Sequence, residues 1–552
     1  MKRYTCTCFG KDAGLWLGLF LLPLIPVFLA GCRSDVQQVS RETDRKVYDL
    51  IAQTWDDSLG SPGDYQLQPL SFEKRDEALQ DIYQSELLTL LRAVQLAMDN
   101  SQAFQEARET LYLKALDLTE AQHLYELTPF AGGIGGYAKE GDREAAGGQG
   151  TLGVQKLLAT GATVSSGFTA GYLDVLTGDF RSGLSTIFYA AVTQPLLRGA
   201  DRKAVLETLT QAQQDMLYAV RDFNRFRQVF LVSVVSDYYR LLQQYDQYRS
   251  LQADYIQLLA LTDNMRDLAA AGRLPRYALE QAEQDKLLAM DQSRQAETSY
   301  KQQLDAFKLK LGIPPQQTIL LDQNEWQVLM DAELTPADGS EDQALQAALD
   351  QRLDLANASD QVLDAERHAE IAADALKPGL DLVGLFSPAN DNRRRYLFGA
   401  DPGDLNRIRD RYELSLRMDL PMDRTVEAND YKRALIQCMR RQRRHMQVTD
   451  QVRYEVRKAY RDMETAQAHY ANQKAARDLA VKRLENTFLL LRYGRANTRD
   501  VLDAQKDSFR AREEYARAVT DYSIAKLNLY RDCGVLWIKA NGRLETRTAV
   551  KR

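Results

Sequence analysis

Residues that do chemistry are scarce in this sequence. The four histidines, His123, His368, His445 and His469, are scattered with no ligand spacing. There is no nucleophile elbow and no phosphate-binding loop. Gly133-Ile134-Gly135-Gly136-Tyr137-Ala138 fits a loose dinucleotide pattern but opens no helix. The sequence therefore predicts no enzyme, no catalytic residue, no metal site and no cofactor. Cysteine is equally rare: Cys6, Cys8, Cys32, Cys438 and Cys533 are too few for a disulfide framework. Only one long apolar run occurs, Gly14 to Ala30, while 27% of residues are charged and the mean hydropathy is −0.43. That balance excludes a multi-span helical membrane protein. A net charge of −6 gives nothing for a nucleic-acid partner to bind.

The apolar run follows Lys2, Arg3 and Lys11 and ends in Leu29-Ala30-Gly31-Cys32, the form of a signal peptide over residues 1–31. A retained membrane helix is the rival reading, but Pro23 and Pro26 interrupt it. The tetrapeptide resembles the lipobox of bacterial lipoproteins. That resemblance implies lipidation of Cys32, with diacyl and palmitate chains on the new N-terminus, and two or more chains give a stable anchor. Arg33 follows, rather than the Asp that retains enterobacterial lipoproteins in the inner membrane, so the outer membrane is favoured.

Glycine and proline are missing from two stretches, 200–271 and 422–493, each 72 residues long. As continuous helix each would reach roughly 110 Å at ~1.5 Å per residue. In the first, Val234, Leu241, Tyr248 and Tyr255 recur every seven residues, interleaved with Tyr238, Tyr245, Gln252 and Leu259. This is the seam of a helix packed lengthwise on others. Shorter uninterrupted stretches flank the rods, and end to end they match one rod in length. The chain also resembles itself at a shift of 222. Val234, Tyr238, Tyr248, Gly272, Arg273, Ala282, Ala296, Tyr300 and Gly312 recur as Val456, Tyr460, Tyr470, Gly494, Arg495, Ala504, Ala518, Tyr522 and Gly534. An internal duplication is the natural account.

Residues 128–194 hold 14 of the 31 glycines. Val154 to Thr169 and Leu184 to Val192 read as strands, joined by a polar loop from Gly171 to Gly183. In the second half Gly379 to Phe386 and Tyr412 to Leu420 alternate apolar with polar, the pattern of a barrel wall between lipid and water. Four strands cannot close a barrel, and open edges in lipid leave backbone groups unsatisfied, so several chains must share one.

Several segments are similar to the TolC-like outer-membrane efflux family: Gln194-Pro195-Leu196-Leu197-Arg198-Gly199, Leu420-Pro421-Met422-Asp423-Arg424, Ala348 to Leu355, Lys377-Pro378, and Gly494 through Asp500-Val501-Leu502-Asp503-Ala504. The resemblance implies a mainly α protein with a small β part: an α-helical barrel continued by a shared transmembrane β-barrel, four strands per chain, in a homotrimer. It divides the chain into a signal peptide (1–31), a lipid-anchored segment (32–80), a first repeat (81–312, strands about 152–194), an equatorial linker (313–340), a second repeat (341–534, strands about 379–420) and a tail (535–552). The implied function is a passive exit duct of a tripartite efflux system, partnered by a periplasmic adaptor and an inner-membrane pump. A duct for type I protein secretion and a non-conducting envelope brace are the alternatives.

Matched to the family motif, Asp500 and Asp503 become an acidic constriction at the periplasmic tip. Three residues apart, they share a helix face, and carboxylates crowded in a constriction select cations. They would equally offset the macrodipole of the helix they begin. The family's tip tyrosine and arginine are replaced by Leu491 and Ala496, and its first-half acid by Ala278. Arg492, Tyr493 and Arg495 are the candidate gate residues in their place. Gly272 and Gly494 let the chain reverse at the two tips, where an adaptor would make contact. The cluster Arg440, Arg441, Arg443 and Arg444 reads as a solvated helix face, and Arg393 to Arg395 as a candidate contact for lipid phosphate.

Overall fold

The computed structural model describes residues 36–55, 65–67, 87–140, 143–175, 181–272, 275–331, 339–390, 408–493, 495–496, 498–539 and 544–546. Cys32, the signal peptide, Arg393 to Arg395 and Gly494 lie outside them. The chain divides into two units, 1–54 and 55–552. The first contains one described helix, α1 (Val36–Thr54), with Val47 and Ile51 buried one turn apart.

In the second unit β1 (Leu87–Leu88) leads into α2 (Leu90–Asn100) and α3 (Gln102–His123). Four strands follow: β2 (Thr128–Glu140), β3 (Arg143–Leu157), β4 (Thr163–Val175) and β5 (Arg181–Pro195). A short α4 (Arg202–Val205) opens the long α5 (Glu207–Ala270), which turns back as α6 (Arg276–Lys310). After β6 (Leu320–Leu321) and α7 (Gln323–Asp331) the second half runs through α8 (Glu341–Gln351), α9 (Leu353–Asp374), β7 (Gly379–Asn390), β8 (Ile408–Asp419), α10 (Thr425–Arg492) and α11 (Thr498–Asp532). Strands β9 (Leu536–Ile538) and β10 (Leu544–Thr546) pair at the end.

The rods form as the absence of glycine and proline predicts: α5 has 64 residues and α10 has 68, roughly 100 Å each at ~1.5 Å per residue. Along the α5 seam burial is graded. Val234, Tyr238 and Leu241 are fully buried, Tyr245, Tyr248 and Tyr255 are half-buried, and Leu259 is exposed. Each rod packs along the helix that follows it. Tyr248 stacks on Tyr300 with centroids 6.2 Å apart and planes at 4°, and Tyr470 on Tyr522 at 5.9 Å and 16°. These are the same two positions of the two halves, 222 residues apart.

The short stretches stack end to end. The helix over 90–123 breaks at Ser101, where the extended backbone (ψ 127°) ends α2 and begins α3; the helix over 341–374 breaks the same way at Arg352 (ψ 121°). Against each break sits a left-handed glycine that ends a long hairpin. Gly312 (φ 74°) follows α6, with the Ile313 N–H bonded to the Lys308 carbonyl at 2.9 Å. Gly534 (φ 73°) follows α11, with Val535 N–H on Tyr530 at 3.2 Å. A Cβ on Gly312 would stand 2.2 Å from the Asn100 carbonyl oxygen; on Gly534 it would stand 3.2 Å from that of Gln351.

The β part corrects the expected four strands to six. One antiparallel sheet runs β2-β3-β4-β5-β7-β8. The stretch Val154 to Thr169 is two strands split by a turn at 158–162, and part of the expected polar loop Gly171 to Gly183 belongs to β4 and β5. The glycine-rich run before it is the β2–β3 hairpin, paired along its whole length from Thr128↔Gln155 to Glu140↔Arg143.

Candidate functional site, the sheet wall and the hairpin tips

Register assigns the sheet two faces. Tyr412, Leu414, Leu416 and Met418 of β8 pair with Phe386, Gly384, Leu382 and Leu380 of β7. The same face continues through Val192, Ala190 and Phe188 of β5 and through Val164, Phe168 and Tyr172 of β4. It goes on to Val154 and Leu152 of β3 and to Ala131 and Tyr137 of β2. Nearly all the large apolar side chains that the sheet exposes lie on it, from Val154 at 37% to Leu414 at 78%; Ile134 and Ile187 on the other face are exceptions. The other face carries Glu413, Ser415, Arg417 and Asp419 on β8, Thr163, Ser165 and Thr169 on β4, and Gln149, Thr151 and Gln155 on β3. There, Phe130 lies over Gly153, where a Cβ would stand 2.3 Å from the ring, so the aromatic fills the space the glycine leaves. Among the described residues no helix is long and apolar enough to cross a membrane.

The base of the sheet is tied together and to the end of α9. Gln194 donates to the Thr160 carbonyl at 2.8 Å, and Arg198 pairs with Asp419 at 3.1 Å. Gly199 N–H donates to Asp374 at 2.9 Å. Lys377 also bonds Asp374; burial alone would raise that carboxyl, but these two partners hold it below the ordinary range.

At the other end of the rods are the two hairpin tips. Gly272 has φ 71° with open space around it, so conformation and not crowding demands glycine there. At the second tip the Arg495 N–H reaches the Leu490 carbonyl at 2.8 Å, across the end of α10. Arg492, Tyr493 and Arg495 are all exposed, Tyr493 at 76%. Asp500 and Asp503 lie in the first turns of α11, both exposed, while their immediate neighbours Val501 and Ala504 are buried.

Sequence reading missed how the two hairpins of one chain hold each other just above the tips. Gln505 bonds Gln257 at 2.9 Å, and Lys506 pairs with Asp285 at 3.2 Å. Arg266 bridges α5 to α6 through Glu283 at 3.2 Å, and Arg483 ties α10 to Asp507 of α11 at 2.7 Å. Asp254 sits beside this clasp. Burial raises its carboxyl, the nearby Lys506 opposes, Asp285 adds to the rise, and burial wins. No sequence pattern pairs residues 221 to 248 positions apart; only the folded hairpins bring them together.

No protein-family model matches the chain, and neither does any curated protein sequence. Solved structures do. CusC, described for its folding and transmembrane channel formation, is 13% identical with a TM-score of 0.57 over 86% of this chain and 96% of its own. The Campylobacter jejuni CmeC outer membrane channel is 14% identical, TM-score 0.56, over 89% and 93%. The Neisseria gonorrhoeae MtrE outer membrane channel is 14% identical, TM-score 0.56, over 82% and 90%. The chain has the TolC-like outer-membrane channel fold.

Proposed function

We propose that three copies of this chain form a passive exit duct for small molecules across the periplasm and the outer membrane, as the outer-membrane part of a tripartite efflux system. The observation that carries this reading is the six-stranded sheet with one apolar face and two edges that no other described strand of the chain pairs, joined directly to paired helices of roughly 100 Å. An open edge in lipid leaves a row of backbone groups unpaired, which costs several kcal/mol for each group. Copies that share one barrel remove the edges. The twofold recurrence of the tyrosine stack, the helix break and the left-handed glycine supports a duplicated chain, so three copies supply six similar hairpins around a helical tunnel.

In this reading Cys32 carries the lipid anchor, and residues 313–340 belong to a belt around the helices. The turns at Gly272 and Gly494 meet a periplasmic adaptor that joins the duct to an inner-membrane pump. Asp500 and Asp503 of three copies set six carboxylates at the entrance, where they attract cations; Arg492, Tyr493 and Arg495 flank them. The Gln505–Gln257 and Lys506–Asp285 clasp holds the tips shut, because opening requires the two hairpins of each chain to part. Transport involves no chemistry in the duct, and the pump supplies the energy.

The test is retention of a fluorescent pump substrate by cells. A strain lacking the protein should retain the dye severalfold more than one expressing it, and Gln505→Ala with Lys506→Ala should keep export while admitting large antibiotics that the intact tip excludes. Equal retention with and without the protein would remove the efflux role. Labelled palmitate should enter the full-length protein and not a Cys32→Ser variant.

A further inference from the structure

The β2–β3 hairpin has no counterpart in the second half: α9 enters β7 directly, whereas α3 enters two extra strands before β4. It is built into the wall. Its thirteen-residue ladders to β4 and within itself are unbroken, and its apolar face continues that of β4 and β5. Its return turn is locked at the base: Gly161 (φ 79°) packs so closely that a Cβ would stand 2.8 Å from the Gly199 carbonyl oxygen, and Thr160 is held by Gln194.

The sheet edges are thus β2 and β8. All neighbours are antiparallel and the number of strands is even, so β8 of one copy meets β2 of the next antiparallel, as a closed wall of this kind requires. The helices joined to these edges carry complementary charge at one level. Arg440, Arg443 and Arg444 are exposed on α10, about 22–28 Å from the start of the helix next to β8. Glu106 and Glu109 are exposed on α3, about 21–25 Å from its end next to β2. Val426, Ile436, Met439 and Met446 also stand exposed along α10, and Leu113, Leu124 and Leu127 along α3 and just beyond it.

Resting on the trimeric reading above, we infer that the occupant of both edges is a second copy of this chain. The seam joins β8 and α10 of one copy to β2 and α3 of the next, with Arg440, Arg443 and Arg444 against Glu106 and Glu109. Six strands from each of three copies then close a wall of eighteen strands, roughly one and a half times the diameter of the twelve-stranded wall that four per chain would give.

The experiment is disulfide cross-linking of the full-length protein in outer membranes. Ser415→Cys, mid-β8, is combined in turn with Gly132→Cys, Ile134→Cys or Gly136→Cys of β2, and in a second set with Ser165→Cys or Thr169→Cys of β4; all lie on the same sheet face. Cross-linked dimers and trimers in the β2 set alone are expected. Cross-links in the β4 set of a protein that trimerises would put the hairpin outside the wall and overturn the eighteen strands while leaving the duct reading intact. A protein that is monomeric in mild detergent would overturn both. Because a cysteine pair can itself impair assembly, a reconstruction of the unsubstituted trimer by electron microscopy decides independently: eighteen strands support the seam, and twelve overturn it. Arg440→Glu, Arg443→Glu and Arg444→Glu together should lower the trimer fraction at least tenfold, and adding Glu106→Arg with Glu109→Arg should restore most of it. No recovery would remove the ionic part of the seam.

Discussion

The two halves of this chain agree in their helices and disagree in their strands. Both have a broken short helix, a rod, a reversing turn and a return helix closed by a left-handed glycine against the break. The stacked tyrosines occupy the same places. Yet the first half supplies four strands and the second two. Helix packing over roughly 100 Å fixes the register of many side chains together, which accounts for the likeness of the helical parts of the two halves. A hairpin added between a helix and a strand needs only a turn at its base and one ladder to join.

Even the shared scaffold is unequal in detail, and substitutions at matched positions measure how unequal. The largest difference is expected at the closing glycines. Gly312→Ala forces a Cβ to within 2.2 Å of a backbone carbonyl and should cost above about 4 kcal/mol, preventing assembly. Gly534→Ala, with 3.2 Å available, should cost about 1–2 kcal/mol, mainly for its left-handed backbone. Trimer yield in membranes reads the first and denaturant unfolding the second; equal losses would break the comparison.

Next comes the break itself. Arg352 is 6% exposed, grips Asp354 through two bonds of 3.0 and 2.6 Å, and reaches Glu455 at 2.6 Å. Ser101, its first-half counterpart, makes no side-chain cap. Arg352→Met should cost about 3–5 kcal/mol, because it leaves two carboxylates without their partner. Ser101→Ala should cost under about 1 kcal/mol. The tyrosines follow: Tyr522, fully buried, should lose about 3–4 kcal/mol on truncation to Ala, and half-buried Tyr300 less.

The smallest effect separates the halves by pH. Burial would raise the Asp354 carboxyl, but Arg352 outweighs it and holds it low. Its contribution is present above the ordinary carboxylate pKa of about 4 and is lost as pH falls through the depressed value. Asp254 is raised, so its contribution is full below about pH 4 and is lost as pH rises through the elevated value. Asp254→Asn should therefore raise the melting temperature by roughly 1–2 °C at pH 7.5, a gain that vanishes near pH 4. A gain that grew on acidification would reverse the assignment.

The rods were legible because 72 residues without glycine or proline leave the backbone little else to form. The strands rich in Val, Thr and aromatic residues were legible in their centres, within β4, β5, β7 and β8. The β2–β3 hairpin was not, because glycine marks turns and loops in a sequence. Here Phe130 lying over Gly153 and full pairing with β4 make strands of it. At the tips, Asp500 and Asp503 were found from a motif and are exposed together on α11, whereas the clasp beside them depends on contacts between hairpins that no spacing reveals. Cys32 and Gly494 lie outside the described residues.

The duct itself is tested most directly by conductance of the detergent-extracted trimer in a planar bilayer. Small cation-selective steps are expected, with the selectivity lost when Asp500→Ala and Asp503→Ala are combined. A folded trimer that never conducts would contradict the account.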